Sequence, residues 1–226
     1  FNSEGKQIGK LDEKQLFWLK NLLPTLSGKV ILVMIHHNVI EHLPGQSTHE
    51  LGKRYMLENA PSLLELLEQY GVKLIFTGHL HVQDIASHQD IYEITTGSLV
   101  SYPHPYRIIE FQQDDQGHQT INITSHKIEN LPEWENLPEI SRNWLGDRSF
   151  PFMMRLLTSS PLNLPVAEAE TLAPKLRNFW ADIAGGDHLF EFPDFPEVVQ
   201  KYFKKFGAVN EKGLPELIDN QAIIKL

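Results

Sequence analysis

Val30-Ile-Leu-Val-Met-Ile35-His36-His37 and, further along the chain, Leu74-Ile-Phe-Thr-Gly78-His79-Leu80-His81 are two apolar runs that each close on histidine. A continuous apolar run of this length is what a strand buried on both faces requires. Between them, Leu63, Leu64, Leu66 and Leu67 recur at helical spacing over residues 61–70, and Gly71 stands where a C-terminal cap belongs. Strand, helix, strand implies a right-handed crossover and a parallel pair, with both carboxyl ends on one edge of the sheet. Ligands of open α/β sheets collect beyond that edge, and Gly78 is expected to let the backbone turn sharply enough to aim both following imidazoles into it. A lone histidine at a strand end is ordinarily a surface or hydrogen-bonded residue. Three from two adjacent strand ends, His36, His79 and His81, form a constellation suited to divalent metals, for which neutral imidazole is the commonest nitrogen ligand.

The surrounding sequence extends this plan. Residues 11–23 form an expected helix with Asp12 as N-cap, Gln15 three positions later, an apolar stripe of Leu16, Leu19 and Leu23, and Pro24 to stop it. After the Gly78 turn, residues 92–100 read as a further strand. Residues 106–111 and 120–128 read as an antiparallel pair joined through Asp114-Asp-Gln-Gly117. Near Asn130 the composition changes to a polar stretch with Pro132, Trp134, Pro138 and Trp144, where a domain boundary is expected. Beyond it, residues 167–183 and 195–206 have helical spacing, and a short helix is expected near Pro215. Phe179, Trp180, Phe190, Phe192, Phe195, Tyr202, Phe203 and Phe206 supply the core of this helical part and a candidate homodimer contact. Lys201, Lys204 and Lys205 read as a solvated face.

Composition narrows the chemistry. With 29 acidic against 20 basic residues the formal charge is -9, which argues against a basic surface tracking a nucleic-acid polymer. There is no cysteine, so thiolate sites, disulfides and cysteine nucleophiles are excluded, and the redox compartment stays undetermined. No apolar run approaches the roughly 20 residues that span a bilayer. The chain opens on Phe1, directly before Gly5, Gly9 and a helix, and so reads as a fragment. An upstream segment, with any signal peptide, is expected before it, and the compartment is therefore unassigned.

The two histidine runs resemble the last two metal motifs of calcineurin-like metallophosphoesterases, above all in Gly78-His79-Leu80-His81. Gln15-Leu-Phe-Trp18-Leu19 is similar to that family's Gln-x-x-Trp-Leu helix, and Glu93-Ile-Thr-Thr-Gly97-Ser98 to the strand after its histidine motif, so the resemblance covers roughly residues 8–128. It implies an α/β fold: residues 1–129 as the C-terminal half of an αββα sandwich, with mixed sheets flanked by helices, and residues 130–226 as a small, mainly helical extension. It implies also that His36 and His79 bind one metal and His81 a second, with His37 beside the site. Asn38 departs from the proline that members often carry two residues after the first histidine. The family's Asp-x-His, Gly-Asp-x-x-Asp and Gly-Asn-His-Asp/Glu motifs are absent, and neither Asp147 nor Gly186-Asp187-His188 substitutes for them. No bridging ligand and no catalytic residue is therefore assigned.

For the parent protein the resemblance implies a phosphoesterase in which two divalent metals, Mn, Fe or Zn, activate water for in-line attack on phosphorus. Its layout looks like that of bacterial cyclic-nucleotide phosphodiesterases of the superfamily. The expected partners are a small phosphoester and the missing N-terminal half, and this chain by itself is expected to be inactive. The competing reading is a non-catalytic binding or regulatory module whose histidines are relics or hold a single metal. His42, His49, Tyr55 and His104 are candidates for lining a substrate entrance, against the more ordinary reading of loop residues in solvent.

Overall fold

Asp12 opens the first helix, α1 (Glu13–Leu22): its Oδ1 accepts from Gln15 N at 2.7 Å while Gln15 Oε1 accepts from Asp12 N at 2.9 Å, completing a capping box. The computed structural model describes residues 9–226, so the readings placed on Phe1 and Gly5, and the first residue of the stretch 8–128, lie outside the described residues. Contacts divide the chain into two compact units, one ending at Thr96 and taking in Leu226, the other running Gly97–Lys225.

The first unit is built on a four-stranded sheet of β1 (Leu32–Met34), β2 (Leu74–Thr77), β3 (Asp84–His88) and β4 (Ile91–Thr95), in the order β1-β2-β4-β3. β1, β2 and β4 run parallel, and β3 lies antiparallel to β4. The parallel β1–β2 pair is connected through α2 (Ala60–Gln69), whose Leu63 and Leu67 enter a core with Leu23, Leu57, Val72 and Ile75. Period-two pleating turns Ile31, Val33 and Ile35 toward that core. The expectation that residues 30–35 are buried on both faces is corrected here. Among the described residues β1 is an edge strand, and its other face leaves Val30 46%, Leu32 46% and Met34 83% exposed. β3 was not legible as a strand: only its Ile85 is buried, so Asp84-Ile-Ala-Ser-His88 carries no apolar run. The strand expected over 92–100 stops at Thr95.

In the second unit β5 (Pro105–Gln113) and β6 (Gln119–Lys127) form the expected antiparallel pair, joined through Asp114–Gly117. A third strand, β7 (Gln221–Lys225), pairs with β6, and no helix forms near Pro215. Helix α3 (Leu137–Asp147) forms within the polar stretch that holds Pro138 and Trp144, and α4 (Ser149–Thr158) follows it, so the compositional change near Asn130 falls inside this unit. Residues 167–183 form two helices, α5 (Val166–Leu172) and α6 (Phe179–Gly185). Between them Pro174, which cannot donate a backbone hydrogen bond, sits in a 3₁₀ turn. With α7 (Glu197–Lys204) they enclose an aromatic core, in which the Phe179 ring lies 4.8 Å from both Phe190 and Phe203. The chain is thus mixed α/β, with one mixed sheet, one antiparallel sheet and, among the described residues, seven α-helices. Among them no helix is long and apolar enough to cross a membrane.

Candidate functional site

Parallel pairing of β1 with β2 matches Met34 to Phe76 and carries both chain exits to the same edge of the sheet. Beyond the strands the pairing continues for one more step. Ile35 N donates to Phe76 O at 3.1 Å and Gly78 N to His36 O at 3.2 Å, so the first histidine lies beside the Gly78 turn. The imidazoles of His36 and His79 are 4.5 Å apart between ring centroids, those of His37 and His79 4.4 Å, and those of His36 and His37 5.5 Å. A Cβ on Gly9 would fall 2.4 Å from the His37 ring, so only glycine admits that imidazole at this place.

The turn itself differs from the expectation placed on Gly78. A Cβ there would meet nothing closer than Thr96 O at 3.8 Å, and the left-handed conformations fall instead on His79 (φ 62) and His81 (φ 61). Non-glycine residues are uncommon in that region of φ. The bend is made one residue later than the glycine, where Leu80 N donates to Gly78 O at 2.6 Å and closes a tight turn.

Burial, then the neighbouring His37 and His36, hold the His79 imidazole down to about 4. Burial followed by His36 lowers His37 and His81 as well. These rings are neutral at physiological pH, with a nitrogen lone pair each to offer. A ring nitrogen about 2.1 Å from a metal puts its centroid roughly 3.2 Å away, so two such ligands would lie about 4.5 Å apart at an octahedral right angle and about 5.2 Å apart at the tetrahedral angle. The His36–His79 spacing of 4.5 Å equals the right-angle value only, and the buried His37 Nε2, which has no hydrogen-bond partner, adds an unsatisfied donor or acceptor to the same cluster. Among the described residues, however, no group of three or more His, Cys, Asp or Glu side chains converges to hold a metal ion.

Other singled-out residues divide. The Tyr55 ring lies 5.1 Å from His79, and the Arg54 carbonyl accepts a hydrogen bond from His79 while the Arg54 guanidinium sits over the Tyr55 ring at 4.6 Å. His49 Nδ1 accepts from Leu51 N at 3.2 Å within its own turn. His104 belongs to the second unit, where it is buried with Nδ1 3.1 Å from Leu99 O. The reading of His42 as an entrance residue is corrected, because its side chain is fully buried between two carboxylates. Nδ1 lies 2.5 Å from Asp84 Oδ2 and Nε2 3.0 Å from Glu93 Oε1, the latter an ion-pair contact without hydrogen-bond alignment. Burial pulls this imidazole down, but the contacts with Asp84 and Glu93 outweigh it and raise its pKa to about 9. Glu93, which the sequence marks only as part of a flanking strand, is also fully buried. The available signal was a carboxylate at alternate spacing from Ile91 in a strand whose other residues are apolar or threonine, a position that demands partners.

No model of a known protein family matches the chain, and no curated protein matches it.

Proposed function

We propose that this chain is the C-terminal part of a metallophosphoesterase αββα sandwich with a helical extension, contributing His36, His79 and His81 to a dinuclear centre that hydrolyses phosphoesters. The observation that carries the reading is the meeting of His36 and His79, from the ends of two adjacent parallel strands, at 4.5 Å between rings. His36 and His79 would hold one divalent ion and His81 would contribute to a second. When bound, such ions supply Lewis-acid polarisation of phosphoryl oxygens and lower the pKa of water. The chain's own residues bring the exposed His36 ring beside a half-buried His79, and the Arg54–Tyr55 pair beside His79 offers a cation and a ring to an incoming phosphoester. A small phosphodiester, with cyclic nucleotides as one class, is the proposed substrate.

The bare apolar edge of β1, with Met34 83% exposed, fits pairing with further strands of the same domain. It favours equally the second reading, a binding module that offers this edge to a partner. The test is hydrolysis of a generic phosphodiester with added Mn(II) by a chain extended upstream of Phe1, compared with the same chain carrying His79→Ala. Loss of the activity in the variant is expected, by at least about a hundredfold, whereas equal rates in both would leave the binding module as the reading. The chain of 226 residues is expected to be inactive on its own.

A further inference from the structure

We infer that Asn38, gripped by Glu93, is a positioning residue that sets the spacing between His36 and His79. The role in metal binding rests on the phosphoesterase reading above; the spacing itself does not. Asn38 directly follows the His36-His37 pair and is 0% exposed. Its Nδ2 donates to Thr77 Oγ1 at 2.9 Å and to Glu93 Oε1 at 3.0 Å, and its Oδ1 accepts from Gln46 Nε2 at 3.0 Å. The backbone of the same residue is tied on both sides, N to Tyr55 O at 2.9 Å and O to Leu57 N at 2.8 Å.

The other end of the clamp reaches the second histidine motif. Thr77, two residues before His79, donates its hydroxyl to the same Glu93 Oε1 at 2.6 Å. One carboxylate oxygen therefore joins the residue after the first histidine pair to the last residue of the strand that leads into the second. Glu93 Oε2 accepts Val39 N at 2.8 Å and Ile40 N at 2.6 Å, which holds the chain leaving the first pair for two further residues. Strand register explains why these groups can meet: Thr77 pairs with Thr95, and Ile75 with Glu93, so Thr77, Glu93 and Thr95 share one face of the sheet.

Residue type follows from this arrangement. Position 38 must donate to a carboxylate and a hydroxyl while accepting from an amide, which asparagine does and proline cannot. The departure from the family pattern is thus the residue that fastens the cluster. Its amide and the Glu93 carboxylate are engaged in these bonds beneath the sheet edge, a geometry of support rather than of contact with substrate. Outer partners of this kind tune metal affinity by about 10–100-fold.

The experiment uses the full chain with Mn(II) as probe, reading paramagnetic broadening of the histidine ring resonances and, without metal, the ring-to-ring NOE between His36 and His79. Asn38→Asp places two carboxylates together, and Glu93→Gln replaces one of the two acceptor oxygens with an NH2 donor that faces either Asn38 Nδ2 and the Thr77 hydroxyl or the Val39 and Ile40 N–H groups. In variants that retain cooperative unfolding, a loss of the NOE and an Mn(II) midpoint raised at least about tenfold are expected. Asn38→Asp combined with Glu93→Gln exchanges acid and amide and is expected to recover part of both signals. If Asn38→Asp does not fold, Thr77→Val, which removes only the hydroxyl link, carries the same comparison. Folded variants with the wild-type NOE and midpoint overturn the inference. If wild type shows no broadening at any Mn(II) concentration, the metal reading fails, and the NOE comparison alone decides the positioning role.

Discussion

His42 shows how little a residue's type says about its task. In sequence it is a loop histidine; in the fold it is a buried imidazole between Asp84 and Glu93, with Gln46 Oε1 accepting from its backbone N at 2.8 Å. Its pKa stands at about 9 in the folded chain, against about 6.5 for an unperturbed histidine. A raised folded pKa contributes stability that is fully present below about pH 6.5 and is lost as pH climbs toward 9. Glu93 carries the opposite dependence. Burial pushes it up, the His42 and Thr77 contacts more than reverse this, and the resulting lowered pKa gives stability that is lost in acid. His42→Gln should therefore be markedly less stable than wild type near pH 6, with the gap narrowing toward pH 9. Urea midpoints at the two pH values check this, and an unchanged gap would show that the imidazolium does not stabilise the folded chain.

Among the elements, β1 is the one whose neighbours contradict its composition. Its apolar run resembles a central parallel strand, yet among the described residues β2 is its only partner, and Leu32 and Met34 face outward. Unpaired, apolar edges of this kind are templates for association. Met34→Lys is expected to change folding stability by no more than about 0.5 kcal/mol, since the side chain is 83% exposed. It should also reduce self-association of the isolated chain, read by sedimentation velocity. Stability falling by several kcal/mol would mean that Met34 is covered. Helix α1 is the contrasting case, because Asp12 and Gln15 are three residues apart and their capping box needs nothing remote.

Across the whole molecule, β7 closes the second unit's sheet from the far end of the chain. Ile224 pairs with Ile121 and is 5% exposed, while Ile121 and Ile123 are wholly buried on β6. Ile224→Ala should destabilise by about 2–5 kcal/mol, measured by urea denaturation. A loss below 1 kcal/mol would show that β7 contributes little to the sheet. The sequence by itself determined what depends on near neighbours: the capping box of α1, the parallel β1–β2 pair joined by α2, the β5–β6 hairpin, and the delivery of His36 and His79 to one sheet edge. Periodicity, caps and turns act over a few residues, so a single pass along the chain reads them. Only the tertiary structure decided that β1 is an edge, that Ile121 finds Ile224, that His79 and His81 take the left-handed turn, and that Asn38, His42 and Glu93 meet in one buried network. Each of these depends on which remote residue arrives to satisfy a buried polar group or cover an apolar face, and no local pattern encodes that arrival.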